Sequence, residues 1–333
     1  FTDAISGLNE VTNPEYDDQE TIYPALMDSL AKANEMFAEE SPREIGVGDV
    51  LFAGDVGKWQ KFANSLRLRM ANRIASVDSD AATIRNDILT DATTYPIMES
   101  NADNAFLVWP GAAPFKEPWY EDQETRDDHA VATYLINYLK DNADPRLSVI
   151  AYPNTEGEYE GVVPGVAPDN VGDIGLYSRI GEFYREKPEG YTPFMRYAEV
   201  KFIEAEANAD QTAFEEAIVA SCVENGIDAA TANTYATTSG FDVNVDEDLF
   251  SQKWVALFKQ GHEAWAETRR TDIPQMDAAP SSPYTGHTRP PFMFPYPTDE
   301  SNLNSANLAP YAADVDDKFW GKQMWWDERT GVQ

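Results

Sequence analysis

The sequence predicts a mainly α-helical protein with long irregular loops. Apolar residues recur at helical spacing through much of the chain, and the tracts between them are rich in glycine, proline, asparagine and aspartate. With 333 residues, of which 42% are hydrophobic, the chain can bury a sizeable core. We therefore expect one mainly helical domain over residues 1–333 with elaborated loops.

Residues 58–75 show the clearest helical pattern. Asp55 precedes them as a candidate N-cap. The apolar residues of this stretch fall on one face and are Trp59, Phe62, Leu66, Met70 and Ile74. Arg67, Arg69 and Arg73 flank that face, where we expect their stems to lie on a neighbouring helix and their charges to stay in water.

The same periodicity predicts six further helices, over residues 18–38, 81–89, 130–139, 192–209, 213–225 and 246–270. We expect the helical scaffold to comprise residues 1–100 and 192–272. The loop-rich parts, residues 101–191 and 278–333, are the expected ligand-binding portion, since long loops on a rigid scaffold commonly carry binding sites. The C-terminal stretch is expected to be extended because it holds Pro280, Pro283, Pro290, Pro291, Pro295 and Pro297.

The charge balance limits the classes of ligand. There are 58 acidic and 25 basic residues, a formal net charge of -33. Such a chain repels nucleic acid and anionic lipid headgroups, so a neutral ligand fits best. No run of about 20 apolar residues that could span a membrane occurs in the sequence.

The sequence offers little for a metal or a reactive thiol. The single cysteine, Cys222, lies in a predicted helix and is expected to be buried and inert. Three histidines and one cysteine do not form a transition-metal motif, and no cofactor is expected. A structural calcium ion near Asp314, Asp316 and Asp317 is possible, although the EF-hand pattern is missing.

Exposed aromatic residues in the first long irregular tract, residues 101–128, suggest a sugar-binding site. A sugar ring stacks its C–H face on a flat aromatic ring, while amides and carboxylates bind its hydroxyl groups. Trp109 and Trp119 are the preferred stacking platforms, with Tyr120 beside them. The nearby polar candidates are Asn101, Asn104, Glu117, Glu121, Asp122 and Gln123.

Three further aromatic residues complete the predicted glycan site. Tyr177 and Tyr184 lie in the second tract, residues 152–190, and could form another wall, and Trp320 near the C-terminus could also face the ligand. Each of the six candidates could instead anchor a loop to the scaffold. The acidic composition also leaves open a glycoside hydrolase that uses a pair of carboxylates on a helical scaffold.

Several segments together resemble one protein family. In chain order they are GDVGKWQKFANSLRLRMANRI (54–74), NADPRL (142–147), TPFMRYAEVKFIEAEA (192–207), SQKWVALFKQGHEAWAETRRTDIP (251–274), RPPFMFPYPTDESNLNSANL (289–308) and WWDE (325–328). The ordered set resembles the SusD/RagB lipoproteins, which are surface glycan-binding partners of TonB-dependent transporters.

The resemblance implies a tetratricopeptide-containing helical fold that binds glycan noncovalently and catalyses nothing. It implies a surface lipoprotein of the outer membrane that delivers oligosaccharide to a SusC-like, TonB-dependent transporter. Members begin with a lipoprotein signal and further helices, so the N-terminal part of the fold and the lipid anchor are expected to be missing from this chain. RagB-type relatives handle peptides, which leaves a peptide ligand as an alternative.

Overall fold

The computed structural model describes residues 1–3, 11–39, 46, 48–126, 128–280, 286–315 and 320–332. The fold is mainly α-helical, as predicted. The first helices are α1 (Gln19–Ala38), α2 (Val56–Ile74) and α3 (Ser79–Thr90). The loop-rich middle holds β1 (Ala105–Val108), α4 (Pro118–Gln123), α5 (Thr133–Asp141), α6 (Leu147–Ile150), α7 (Pro168–Val171), α8 (Glu182–Arg185) and β2 (Tyr191–Met195).

The remaining helices follow β2 in the chain. They are α9 (Tyr197–Asn208), α10 (Gln211–Glu224), α11 (Ala229–Thr238), α12 (Asp246–Ala256), α13 (Gly261–Thr271), α14 (Thr298–Leu303) and α15 (Ser305–Leu308). Short 3₁₀ turns occur at Asn101–Asp103, Ile174–Leu176 and Ala309–Val315.

Four predicted helices are confirmed to within two residues at each end, and three need correction. The helix predicted over 130–139 begins at Thr133. The stretch 192–209 starts as β2, which pairs with β1, and becomes helical at Tyr197. The stretch 246–270 divides into α12 and α13, because Lys259 adopts a left-handed backbone with φ of 70°.

Among the described residues, the helices that were not predicted are α4, α6, α7, α8, α11, α14 and α15, and two of them show why. Helix α11 begins after Asp228, whose carboxylate accepts hydrogen bonds from the backbone N–H groups of Ala230 and Thr231. In the C-terminal stretch, α14 begins directly after Pro297, so the prolines exclude helix only up to that point.

Helix α2 packs against both α3 and α9. Its residue Leu68 packs in one apolar cluster with Ile88 of α3 and Ile203 of α9. A second cluster joins α9 to the later helices through Phe202, Phe214 and Tyr235. Cys222 lies in this second cluster, where burial raises the pKa of its thiol to about 11, so it is buried and unreactive as predicted.

The arginines of α2 do not keep their charges in water. The side chains of Arg69 and Arg73 are only 10% and 12% exposed, and they form ion pairs with Glu199 and Glu263. The prediction of wet charges was therefore wrong, because neighbouring helices supply glutamates. These groups belong to a set that we call the ionic layer: Arg69, Arg73, Glu199, Glu206, Lys253, Glu263, Glu267 and Arg270.

The ionic layer makes folding sensitive to acid. Burial raises the pKa of the Glu206 and Glu267 carboxyls, but the adjacent Arg270 and Lys253 outweigh it and hold each pKa below its usual value. Arg270 lies 2.6 Å from Glu206 and 2.8 Å from Glu267. A carboxyl whose pKa is depressed by folding stabilises the fold above its unfolded pKa of about 4, and that contribution is lost as the pH falls further.

We expect the free energy of unfolding to fall steeply below about pH 4, as these carboxylates become protonated. Urea unfolding at a series of pH values, in about 0.5 M salt to screen the repulsion of the net charge, measures this. Glu206→Gln should flatten the dependence, since it removes one linked proton. An unchanged slope in that variant would contradict the assignment of the acid sensitivity to this layer.

Candidate functional site

The first long tract begins on a small antiparallel sheet. Strand β1 pairs with β2, and the rings of Phe106 and Tyr191 stack with centroids 4.3 Å apart. The backbone N–H of Trp109 donates to the carbonyl oxygen of Gly190 at 2.9 Å. The sheet thereby fixes the start of the loop that leads to α4.

Helix α4 is held at its N-terminus by Glu117. Pro118 is the first helical residue, and the Glu117 carboxylate accepts a hydrogen bond from the N–H of Tyr120 at 2.9 Å. Glu117 is 1% exposed and lies 2.8 Å from the Lys259 ammonium. A Cβ at Gly190 would lie 2.7 Å from Cγ of Glu117, so this close approach requires glycine.

A cleft of about 340 Å³ opens beside α4, and we call it the Trp119 cleft. Its lining residues are Trp119, Asp122, Gln123, Arg126, His129, Ala130, Ile180 and Arg185. The volume lies near the lower end of the range for ligand sites, about 300–1,000 Å³. It suits a small ligand or a short part of a chain.

The Trp119 ring is firmly supported from the protein side. Its centroid lies 5.7 Å from that of Phe258 and 6.2 Å from that of Tyr184, both in tilted or edge-on contact. The Lys259 ammonium lies 5.0 Å from the same ring centroid. Because these neighbours limit its movement, Trp119 offers a rigid apolar surface at the cleft.

The polar groups of the cleft carry both signs of charge. Asp122 lies 3.0 Å from Nδ1 of His129, and Arg126 lies 2.6 Å from Asp128. The side chains of Asp122 and His129 are 41% and 58% exposed, so a ligand in solution can reach them. In a chain with a formal charge of -33, the cleft thus combines hydrogen-bond acceptors and donors, with Asp122 close to Arg126 and Arg185.

Of the six aromatic candidates from the sequence, Trp119 lines this cleft. Two others were wrong as ligand-facing residues, since Tyr184 and Trp320 are each 2% exposed. The hydroxyl of Tyr184 donates to Asn225 at 2.6 Å. Trp320 stacks on His287 at 4.3 Å, and its indole N–H donates to the Arg289 carbonyl at 2.7 Å. Both side chains are packed inside the fold and leave no free face for a sugar.

The other three candidates are half-buried and lie outside the residues that line the cleft. The indole of Trp109 donates to Oγ1 of Thr192 at 3.0 Å, and the hydroxyl of Tyr177 donates to the Val171 carbonyl at 3.0 Å. The ring of Tyr120 lies 5.3 Å from the Lys116 ammonium. These contacts anchor loops, and a role for the three residues in binding stays a prediction.

Sequence reasoning missed Arg126, His129 and Arg185 in this site. Trp119, Asp122, Gln123 and Arg126 have the spacing i, i+3, i+4 and i+7, which places residues on one face of a helix. A helical reading of PWYEDQETR would have found that face. Arg185 comes from α8, which packs here through tertiary contacts that local sequence does not show.

A second concavity, of about 680 Å³, is much more apolar. It is lined by Phe37, Gly46, Gly48, Asp49, Val50, Leu51, Trp59, Leu107 and Phe194. Burial raises the pKa of the Asp49 carboxyl, but N–H groups of the following loop and of the Trp59 indole bind it and lower that pKa to about 2. The Asp49 carboxylate is thus engaged by the protein, and this concavity offers a sugar few hydrogen-bonding partners.

Two further predictions from the sequence concern metal ions and membrane spans. Among the described residues, no group of three or more histidine, cysteine, aspartate or glutamate side chains is arranged to hold a metal ion. Asp316 and Asp317 of the suggested calcium site lie outside the described residues. Within the described part of the chain, every helix is too short or too polar to cross a membrane.

The described residues form a mainly helical scaffold with an aromatic surface cleft. A family model described as "Starch-binding associating with outer membrane" matches residues 1–297. The chain belongs to this SusD-like family. A comparison with curated protein sequences gives no match.

Solved structures share the fold. A chitin-binding protein is 25% identical with a TM-score of 0.78, and the match covers 95% of this chain and 74% of that one. A SusD homologue from Bacteroides fragilis is 24% identical with a TM-score of 0.80, over 99% and 79% of the two chains. A chitin-binding SusD homologue from Flavobacterium johnsoniae is 23% identical with a TM-score of 0.79, over 95% and 74%.

Proposed function

We propose that this protein captures a neutral glycan noncovalently in the Trp119 cleft at the bacterial outer membrane. The observation that carries the proposal is the rigid Trp119 ring at the wall of a solvent-open cleft, with Asp122, Gln123 and Arg126 on the same face. An apolar ring face beside hydrogen-bonding groups matches the two surfaces of a sugar. The family description and the chitin-binding neighbours support a glycan as the ligand class.

Noncovalent binding of a glycan fits the cleft better than its hydrolysis does. A glycosidase with paired carboxylates places two acids on either side of the scissile bond. Among the described residues that line the Trp119 cleft, Asp122 is the only acid, and it lies 3.0 Å from His129. We therefore propose a binding protein and not an enzyme.

The proposal extends to a place in transport. A small cleft with one stacking platform predicts weak binding of a short chain, so a partner must supply further contacts for efficient uptake. We propose a surface lipoprotein that passes its glycan to a SusC-like, TonB-dependent transporter. The family's association with the outer membrane supports this location.

The test is a binding screen against neutral polysaccharides, namely starch, chitin, β-glucan, xylan and mannan, by calorimetry and gel retardation with product analysis. We expect at least one of them to bind with no sugar released. Released sugar would replace the proposal with a hydrolase. Binding of peptides, together with silence across the glycans, would favour a peptide-capturing member of the family.

A further inference from the structure

The connection between α12 and α13 sends a lysine into the protein instead of into solvent. Lys259 adopts a left-handed backbone, which is uncommon for a residue other than glycine. Its neighbours fix it there: Arg196 donates to the Phe258 carbonyl at 2.7 Å, and Gln260 donates to the Phe194 carbonyl at 2.8 Å. The Lys259 side chain is 6% exposed as a result.

The buried ammonium lies among four groups that we call the Lys259 cage. The Glu117 carboxylate is 2.8 Å away. Three ring centroids surround it, those of Trp119 at 5.0 Å, Tyr191 at 5.3 Å and Tyr184 at 5.8 Å. A desolvated ammonium is attracted by aromatic faces and by a buried carboxylate, so each of these contacts is favourable.

Two members of the Lys259 cage, Glu117 and Trp119, lie at the start of α4, the helix beside the Trp119 cleft. Glu117 caps α4, and Trp119 is the second residue of that helix. A helix of six residues is too short to be stable on its own, so tertiary contacts must hold it. The cage contacts both its cap and its large apolar side chain.

We propose that Lys259 is a positioning residue for ligand binding, whose ammonium holds α4 so that Trp119, Asp122 and Gln123 face the cleft. This inference rests on the proposed function of the cleft. Lys259 does not line the cleft and would act through Glu117 and Trp119. Loss of its charge would leave the Glu117 carboxylate buried and unpaired, and α4 would shift to hydrate it.

The test compares Lys259→Met with Lys253→Met. Lys253 is a matched control, since its side chain is 2% exposed and lies 2.7 Å from Glu267 in the ionic layer, among the scaffold helices. We expect both variants to unfold at lower urea concentrations. Only Lys259→Met should weaken binding of the glycan found in the screen, by about tenfold or more. Lys259→Arg should recover part of the affinity because it keeps the charge.

Hydrogen–deuterium exchange without ligand provides a second readout. The backbone amides of residues 119–126 should exchange faster in Lys259→Met than in wild type or in Lys253→Met. If Lys259→Met does not fold, the double variant Glu117→Gln/Lys259→Met replaces it in both measurements, because it removes both buried charges. Unchanged exchange in Lys259→Met, or unchanged affinity, would each overturn the inference.

The two readouts separate the inference from the proposed function. If the wild-type protein binds no glycan, the proposed function fails, and exchange alone then decides whether Lys259 holds α4. If the wild-type protein binds but Lys259→Met binds equally well, the cleft stands and the positioning role is overturned.

Discussion

Arg146→Met should lower the free energy of unfolding by about 3–5 kcal/mol, the range for removing one partner of a buried ion pair. Arg146 is fully buried, and its guanidinium donates to Asp144, Gln252 and Oγ of Ser221. Asp144 also accepts from the hydroxyl of Tyr235 at 2.9 Å. Methionine would fill much of the volume but leave the Asp144 carboxylate buried without its cation.

Urea denaturation of the folded variant measures this loss. Arg126→Met is the matched control, because the pair of Arg126 and Asp128 is 58% and 55% exposed and water screens its contribution to stability. Asp144→Asn combined with Arg146→Met should recover part of the stability, since it removes the stranded charge. Equal stability of Arg146→Met and Arg126→Met would refute the structural role assigned to Arg146.

Trp119→Ala should weaken glycan binding by about 2 kcal/mol or more, the loss expected at a central aromatic contact. That corresponds to about thirtyfold in affinity. The ring supplies the flat apolar wall of the cleft, and alanine supplies none. Because Trp119 also packs on Phe258 and Tyr184, the variant should unfold more easily, so circular dichroism must confirm that it is folded before binding is measured.

Two further tryptophan variants make this result specific. Trp320→Phe should cost stability and leave affinity unchanged, since the Trp320 ring is enclosed against His287. Trp109→Ala tests the other platform that the sequence favoured, which lies outside the lining of the cleft. Affinity lost in Trp109→Ala and kept in Trp119→Ala would move the binding site to the sheet.

The sequence predicted the scaffold well because amphipathic helices carry their pattern locally. Helix α2 begins two residues before its predicted start and ends within one residue of its predicted end. The break after α12 was invisible, since Trp254, Leu257, Phe258 and Trp265 keep helical spacing through it. The break depends on contacts of Lys259 with residues more than sixty positions away, such as Tyr191.

The candidate site was predictable only in part, because contacts between residues distant in sequence also decide which side chains face the cleft. Loop composition showed that aromatic rings were present, and it placed Trp119 and its polar neighbours together. It could not show which rings point inward, because that depends on distant partners. Tyr184 is buried against Asn225, and Trp320 against His287, and neither pairing leaves a local pattern.

The burial of so many cations gives the protein an unusual distribution of charge between interior and exterior. Arg69, Arg73, Arg146, Lys253, Lys259 and Arg270 all lie inside, each next to a carboxylate. Within each pair the positive and negative charges cancel, so most of the excess negative charge lies on exposed side chains. The exterior therefore carries a net negative charge, which repels neighbouring copies and acidic polymers. Arg126 and Arg185 bring positive charge to the wall of the Trp119 cleft, and an uncharged, hydroxyl-rich chain can approach that exterior without electrostatic repulsion.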